Sequence, residues 1–169
     1  RAITPTIETA LKAGIRVRGY LANIFGYTDM PFSPGAVAQR SKELLAMGCF
    51  EVSLGDTTAL GTPEMTTALV QTLITSGVPL NHIALHFHDT NGRAIENVAA
   101  AYALGVRIFD AATGGIGGCP YANSPKGNLS MQDLVRWCNA QGLKTPVSAI
   151  EPLDAATDFI TKKLGKMPA

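Results

Sequence analysis

His86 and His88, two of the chain's three histidines, stand two residues apart in the stretch Ala84-Leu85-His86-Phe87-His88-Asp89-Thr90-Asn91-Gly92. A strand sends successive side chains to opposite faces, so both imidazoles would share one face and Phe87 the other. Two imidazoles at a strand's end can close on a divalent cation, or can pair with each other as partly buried histidines. An H-x-H alone does not choose between these.

A second reactive segment lies downstream, Thr113-Gly114-Gly115-Ile116-Gly117-Gly118-Cys119-Pro120-Tyr121-Ala122, continuing through Asn123-Ser124-Pro125-Lys126-Gly127-Asn128. Four glycines in five positions let backbone approach a ligand closely and let the loop move, with Gly117 and Gly118 nearest its tip. Cys119 on such a loop is placed to meet something, as nucleophile, proton donor or redox sensor. Asn128 precedes a capped helix and is either a turn residue or a neutral oxygen ligand. Two imidazoles plus oxygen ligands suit Mg²⁺, Mn²⁺ or Zn²⁺. Asp56, directly after an apolar run, is a candidate general base or a partner that holds a histidine tautomer. Asp89 reads as fixing the turn after His88.

These residues need a scaffold, and the rest of the chain supplies one. With 46% hydrophobic and 16% charged residues in 169, a sizeable core is expected within a single domain over 1–169. A formal charge of +1 and the lack of a basic stripe argue against nucleic acid as a partner. No apolar run approaches the roughly 20 residues that span a bilayer. Cys49 and Cys138, among apolar neighbours, read as core thiols of a reducing compartment.

Glycines 14, 48, 77, 105 and 142 recur at the ends of helical-looking segments, at spacings near the ~30 residues of a strand-plus-helix unit. Apolar stretches follow the first four, over 15–25, 50–54, 83–87 and 106–109. Ser33-Pro34 and Thr62-Pro63 each predict a hydroxyl N-cap with proline in the first turn, and Ser130 with Asp133 resembles a capping box. The helices are expected over 34–47, 63–76, 94–104, 131–141 and near 152–164. Strand, turn, helix, four times over, predicts parallel βαβ units, in an open doubly wound sheet or in part of a (β/α)₈ barrel. No G-x-G-x-x-G opens a helix after the first strand, and polar residues gather where strands end. Both points favour the barrel. A full barrel takes about 250 residues, so this chain holds about half of one.

Ser53–Pro63 (SLGDTTALGTP), His86–Gly92 (HFHDTNG), Gly114–Ala122 (GGIGGCPYA) and Lys126–Val135 (KGNLSMQDLV), in this order, resemble the 3-hydroxy-3-methylglutaryl-CoA lyase family. Val17–Gly26 (VRGYLANIFG) resembles that family's fifth barrel strand. The resemblance implies an α/β TIM barrel of which this chain is the C-terminal half, strands five to eight. It implies His86, His88 and Asn128 as metal ligands, for Mg²⁺ or Mn²⁺ ahead of Zn²⁺. Cys119 would be the catalytic cysteine of a loop closing over an acyl-CoA substrate, and Asp56 an active-site acid.

The implied reaction is a retro-Claisen cleavage to acetyl-CoA and acetoacetate. His86 or Asp56 would take the proton of the substrate's tertiary hydroxyl, and Cys119 would donate one to the enolate carbon. The family's first-strand Arg-Asp pair has no counterpart in this chain. Pairing with the missing half-barrel, or a homodimer, is therefore expected. Ala22-Asn23 and Ala111-Ala112 stand where hydroxyl and thiol side chains are common. A related substrate such as citramalyl-CoA, a Claisen synthase and an inactive half-barrel binding module are the alternatives. The compartment implied is the bacterial cytoplasm or the mitochondrial matrix.

Overall fold

The computed structural model describes residues 3–27, 29–89, 92–118 and 127–164. Helix α1 (Thr4–Lys12) leads into strand β1 (Arg18–Leu21), followed by α2 (Pro34–Ala46), β2 (Glu51–Asp56), α3 (Pro63–Thr75), β3 (Ile83–Phe87), α4 (Ala94–Ala103), β4 (Ile108–Asp110), α5 (Met131–Ala140) and α6 (Glu151–Leu164). The strands form one parallel sheet in the order β1-β2-β3-β4. Sequential order with right-handed crossovers puts all the crossover helices on one face of the sheet. A doubly wound sheet would carry helices on both. The sheet is therefore an arc of a (β/α)₈ barrel, about half of its circumference.

The register sorts the side chains. Val52 pairs with Ile83, and Leu54 with Leu21 and Leu85, on the helix-facing side. Val52, Leu54, Ile83, Leu85 and Phe87 are fully buried there, against helical residues such as Leu69, Leu73 and Val98. Gly19 lies on the same side, where a Cβ would come within 3.0 Å of Leu44 Cδ1. The concave side carries a different chemistry: Arg18 opposite Glu51, Tyr20 opposite Ser53, Gly55 opposite His86, and His86 opposite Asp110.

The expected repeat has a single physical cause. Glycines 14, 48, 77, 105 and 142 all take positive φ, and the N–H after each reaches five residues back: Ile15 to Ala10, Cys49 to Leu44, Val78 to Leu73, Val106 to Ala101 and Leu143 to Cys138. This left-handed cap satisfies the last carbonyls, and at Cys49, Val78 and Val106 it buries an apolar residue against the helix end. It also explains where β4 starts. Val106 belongs to the cap of α4 and is fully buried there, so pairing begins at Ile108.

Three local expectations need adjustment. The first strand is shorter than the apolar run over 15–25, because Asn23 turns to φ 54° and Ile24 N–H donates to Gly55 O. Helix α1 was not among the expected helices, although Pro5 in its first turn and the Ile7/Leu11 spacing mark it. The Ser33 hydroxyl makes no cap bond, leaving Pro34 alone to start α2. Thr62 and Ser130 do cap, accepting from Met65 N at 3.2 Å and Asp133 N at 3.0 Å.

Leu85 sits in the middle of β3 with none of its surface exposed. Leu85→Ala should cost about 2–5 kcal/mol of unfolding free energy in urea titrations, by lost transfer energy plus the cavity left behind.

Candidate active site

His86 and His88 reach the same side, as a period of two requires. Their Nε2 atoms face each other at 3.3 Å, with ring centroids 5.2 Å apart. Asn128 is brought beside them by backbone. His88 and Asn128 form an antiparallel bridge, Asp89 N–H donates to Gly127 O at 2.9 Å and Leu129 N–H to Phe87 O at 3.0 Å. Ala112 N–H then donates to Leu129 O at 3.0 Å, and Met131 N–H to Ala112 O at 2.8 Å. The segment carrying Asn128 is thus laced across the C-terminal ends of β3 and β4.

The glycine loop is held from the same segment. Asn128 N–H donates to Gly117 O at 3.2 Å, and Asn128 Nδ2 to Ile116 O at 2.8 Å. Spending the amide donor on the loop leaves an oxygen as what this side chain can offer a cation. A cleft of about 500 Å³ opens here, lined by residues that include Tyr20, Thr57, His86, His88, Gly117, Gly118 and Asn128. Five of the residues singled out from sequence therefore converge. Cys119 lies outside the described residues.

Asp56 goes elsewhere. Counting by twos from Leu54 puts it on the helix-facing side, opposite Phe87, where it is 1% exposed. Its carboxylate accepts from Leu60 N at 3.0 Å and Gly61 N at 3.1 Å, closing its own loop. Gly61 must be glycine for this, since a Cβ there would meet Asp56 Oδ2 at 2.7 Å and Phe25 Cε2 at 2.6 Å. Burial pushes the Asp56 carboxyl up to about 6, against the backbone N–H groups of Gly61, Leu60 and Ala59 and the charge of His86. Asp89 does fix the turn after His88, accepting from Ala94 N at 3.1 Å at the start of α4.

Sequence reasoning passed over the polar set at the base of the cleft. Asp110, the last residue of β4, takes both guanidinium nitrogens of Arg18 at 2.8 and 3.0 Å and the Ser53 hydroxyl at 2.7 Å. Its Oδ2 stands 3.7 Å from His86 Nδ1. Arg18 also donates to Glu51 at 2.6 Å and to the Tyr20 hydroxyl at 2.6 Å. Burial would raise the Asp110 carboxyl, but His86, Arg18 and Ser53 outweigh it and hold it well below the usual carboxylate range. The signal available was parity: Arg18, Ser53, His86 and Asp110 all fall on the concave positions of their strands.

The donor set suits a divalent cation. Two nitrogens that shared one divalent ion would lie about 3.0–3.4 Å apart, across octahedral to tetrahedral angles, and the observed Nε2 separation falls in that range. His88 Nδ1 is buried with no partner among the described residues. Burial, with some help from the charge of His86, lowers the His88 pKa, favouring the neutral imidazole that metal ligation needs. No cluster of three His, Cys, Asp or Glu side chains with metal-holding geometry occurs among the described residues, and the Asn128 amide oxygen is the further group beside the two imidazoles that could donate to a cation.

A family model described as HMGL-like matches residues 3–159. The chain belongs to the HMGL-like family. Among its relatives, the hydroxymethylglutaryl-CoA lyase of Pseudomonas mevalonii is 44% identical over 148 residues, covering 85% of this chain and 48% of that protein. The solved hydroxymethylglutaryl-CoA lyase of Pseudomonas aeruginosa superposes with a TM-score of 0.91 at 38% identity, covering 97% of this chain and 54% of that one. An HMG-CoA lyase of Acinetobacter baumannii, solved in complex with coenzyme A and 3-methylmalate, gives a TM-score of 0.87 at 31% identity, covering 99% and 54%. The HMGL-like chain thus spans about half the length of these relatives, matching the half-barrel arc. No helix among its described residues is long and apolar enough to cross a membrane.

Asp56 gives this family member a pH signature. Its folded pKa lies above its ordinary value of 3.8, so the fold binds the proton more tightly than the unfolded chain does. That contribution is present below about pH 4 and is lost as pH rises through about 6. Unfolding free energy, measured by denaturant titration from pH 3.5 to 7, should fall by a few kcal/mol on this account in the parent chain. The fall should be absent in Asp56→Asn.

Proposed function

We propose that this chain is the metal-binding half of a carbon–carbon lyase barrel acting on 3-hydroxy-3-methylglutaryl-CoA, yielding acetyl-CoA and acetoacetate. The observation that carries the reading is the convergence of His86, His88 and Asn128 on one cleft under the Gly117–Gly118 loop. Names printed for the relatives, and coenzyme A in one of their structures, support the substrate class.

His86, His88 and Asn128 hold the cation, with Mg²⁺ or Mn²⁺ favoured by an amide oxygen and an open cleft. When bound, a divalent cation supplies Lewis-acid polarisation of the substrate's oxygens and eases loss of the hydroxyl proton. Asp110 sits beside His86 Nδ1 and favours the tautomer whose Nε2 lone pair points into the cleft. Asp56 acts from the far side of the sheet by holding the loop that follows β2. With Asp56 on the far side of the sheet, His86, which lines the cleft, or a group from the other half of the barrel takes the proton of the tertiary hydroxyl. Loss of that proton lets the alkoxide collapse to acetoacetate and release the acetyl-CoA enolate. Cys119, which follows Gly118 in the sequence, protonates the enolate carbon. A thiol with pKa near 8.5 keeps its proton at neutral pH, as a donor must. The remaining strands are supplied by the rest of the protein or by a partner chain, and the reaction belongs in the bacterial cytoplasm or the mitochondrial matrix.

Titration calorimetry of this chain with Mn²⁺ tests the ligand set. His88→Ala should weaken binding at least about a hundredfold, more than the tenfold to hundredfold typical of losing a partner one shell out. Equal affinity would leave the histidines as a core pair. Turnover should be assayed as acetoacetate from 3-hydroxy-3-methylglutaryl-CoA, with the chain alone and with the complementary half-barrel. Cys119→Ala should cut it about 10²–10⁴-fold while leaving Mn²⁺ affinity in place. Net condensation without cleavage would make it a synthase, and undiminished turnover would remove the thiol from the reaction.

A further inference from the structure

Gln132 in the first turn of α5 is 5% exposed, and its amide joins two segments far apart in sequence. Gly114 N–H donates to its oxygen at 2.9 Å. Its Nε2 donates to Thr157 Oγ1 at 2.8 Å and to Asp154 Oδ1 at 3.3 Å, both on α6. The Thr157 hydroxyl gives its own hydrogen to Leu153 O at 2.9 Å, so its oxygen is left to accept. Flipping the amide would set its NH₂ against the Gly114 N–H and its oxygen against the Asp154 carboxylate. The orientation is therefore fixed by its three partners.

A second observation places the same contact under steric control. Gly114 takes φ 65°, and a Cβ there would meet Thr157 Cγ2 at 2.7 Å and Oγ1 at 2.9 Å. Helix α6 has no buried residue and meets the body through a half-buried stripe of Leu153, Ala156, Thr157 and Ile160. Helix α6 docks through this apolar stripe and the polar junction together, and the junction sets it against the first glycine of the loop that lines the cleft.

We propose that Gln132 is a positioning residue through which α6 holds the stem of the glycine loop, so that the C-terminal helix sets where Gly117 and Gly118 lie over the cleft. The junction buries a side-chain amide and ties the loop to a helix none of whose described residues lines the cleft. Loop placement then depends on whether α6 is docked.

Amide hydrogen exchange reads this without turnover, so it stands or falls apart from the lyase assignment. Exchange is followed on the 169-residue chain at Gly114, Gly115 and Ile116, with the β3 amides as the control for global opening. Thr157→Val keeps the shape and removes the acceptor on α6, and should speed exchange at the three loop amides about tenfold with β3 unchanged. Gln132→Glu keeps an acceptor for Gly114 but sets a carboxylate against Asp154, and should have the same effect. Adding Asp154→Asn restores a donor to that pair and should return the loop to parental rates. Loop exchange that stays parental in Thr157→Val and Gln132→Glu would make Gln132 a local acceptor and overturn the proposal. Should β3 accelerate as well, the double variant decides, and failure to rescue overturns it.

Discussion

The site depends on one short run of backbone hydrogen bonds. Residues 127–131 cross the ends of β3 and β4 by pairing with Asp89, Phe87 and Ala112, and this pairing brings Asn128 next to His88. Strand parity alone aims the two imidazoles, because it is built into every β-strand. Aiming a third donor from some forty residues later requires the chain to return to the same strand end. Four main-chain bonds achieve that return without using any of the side chains the chemistry needs. The glycines on either side let the strap approach so closely: Gly115 would place a Cβ 3.0 Å from Asn128 O, and Gly117 one 3.1 Å from Asn128 Nδ2.

Around that strap the two faces of the sheet divide the work. The helix-facing side is apolar and closely packed, and it fixes the strands in register. The concave side carries Arg18, Glu51, Ser53 and Asp110 in one hydrogen-bonded layer, with the Asp110 carboxylate 3.7 Å from His86 Nδ1. Charged groups tolerate this position because each is met by an opposite charge or a hydroxyl. The cleft therefore sits on a rigid polar floor, and its roof is the segment richest in glycine.

Much of this was legible in the residues themselves. The five helix-ending glycines marked the repeat because the left-handed cap they form is a local device, set within six residues. His86, His88 and the glycine loop were legible because their spacing is chemically unusual. Asp56 was legible as important and misread in direction. Its alternation with Val52 and Leu54 already assigned it to the packed side, but an acid after an apolar run attracts a catalytic reading. Asp110 and Gln132 were passed over for a different reason. Each acts through partners some twenty to ninety residues away, Arg18 for one and Thr157 for the other, and no local pattern encodes such a meeting. The barrel arc was legible too, from the polar residues at the strand ends and the missing G-x-G-x-x-G, and the strand order β1-β2-β3-β4 agrees with it.

The concave layer has an electrostatic corollary. Its one guanidinium faces two carboxylates, Glu51 and Asp110, so the layer sums to one negative charge when both imidazoles are neutral. Whatever closes over this half of the barrel has to offset that surplus, with basic side chains of its own or with a bound cation. The same surplus makes the floor of the cleft a standing attractor for cations before any ligand geometry comes into play.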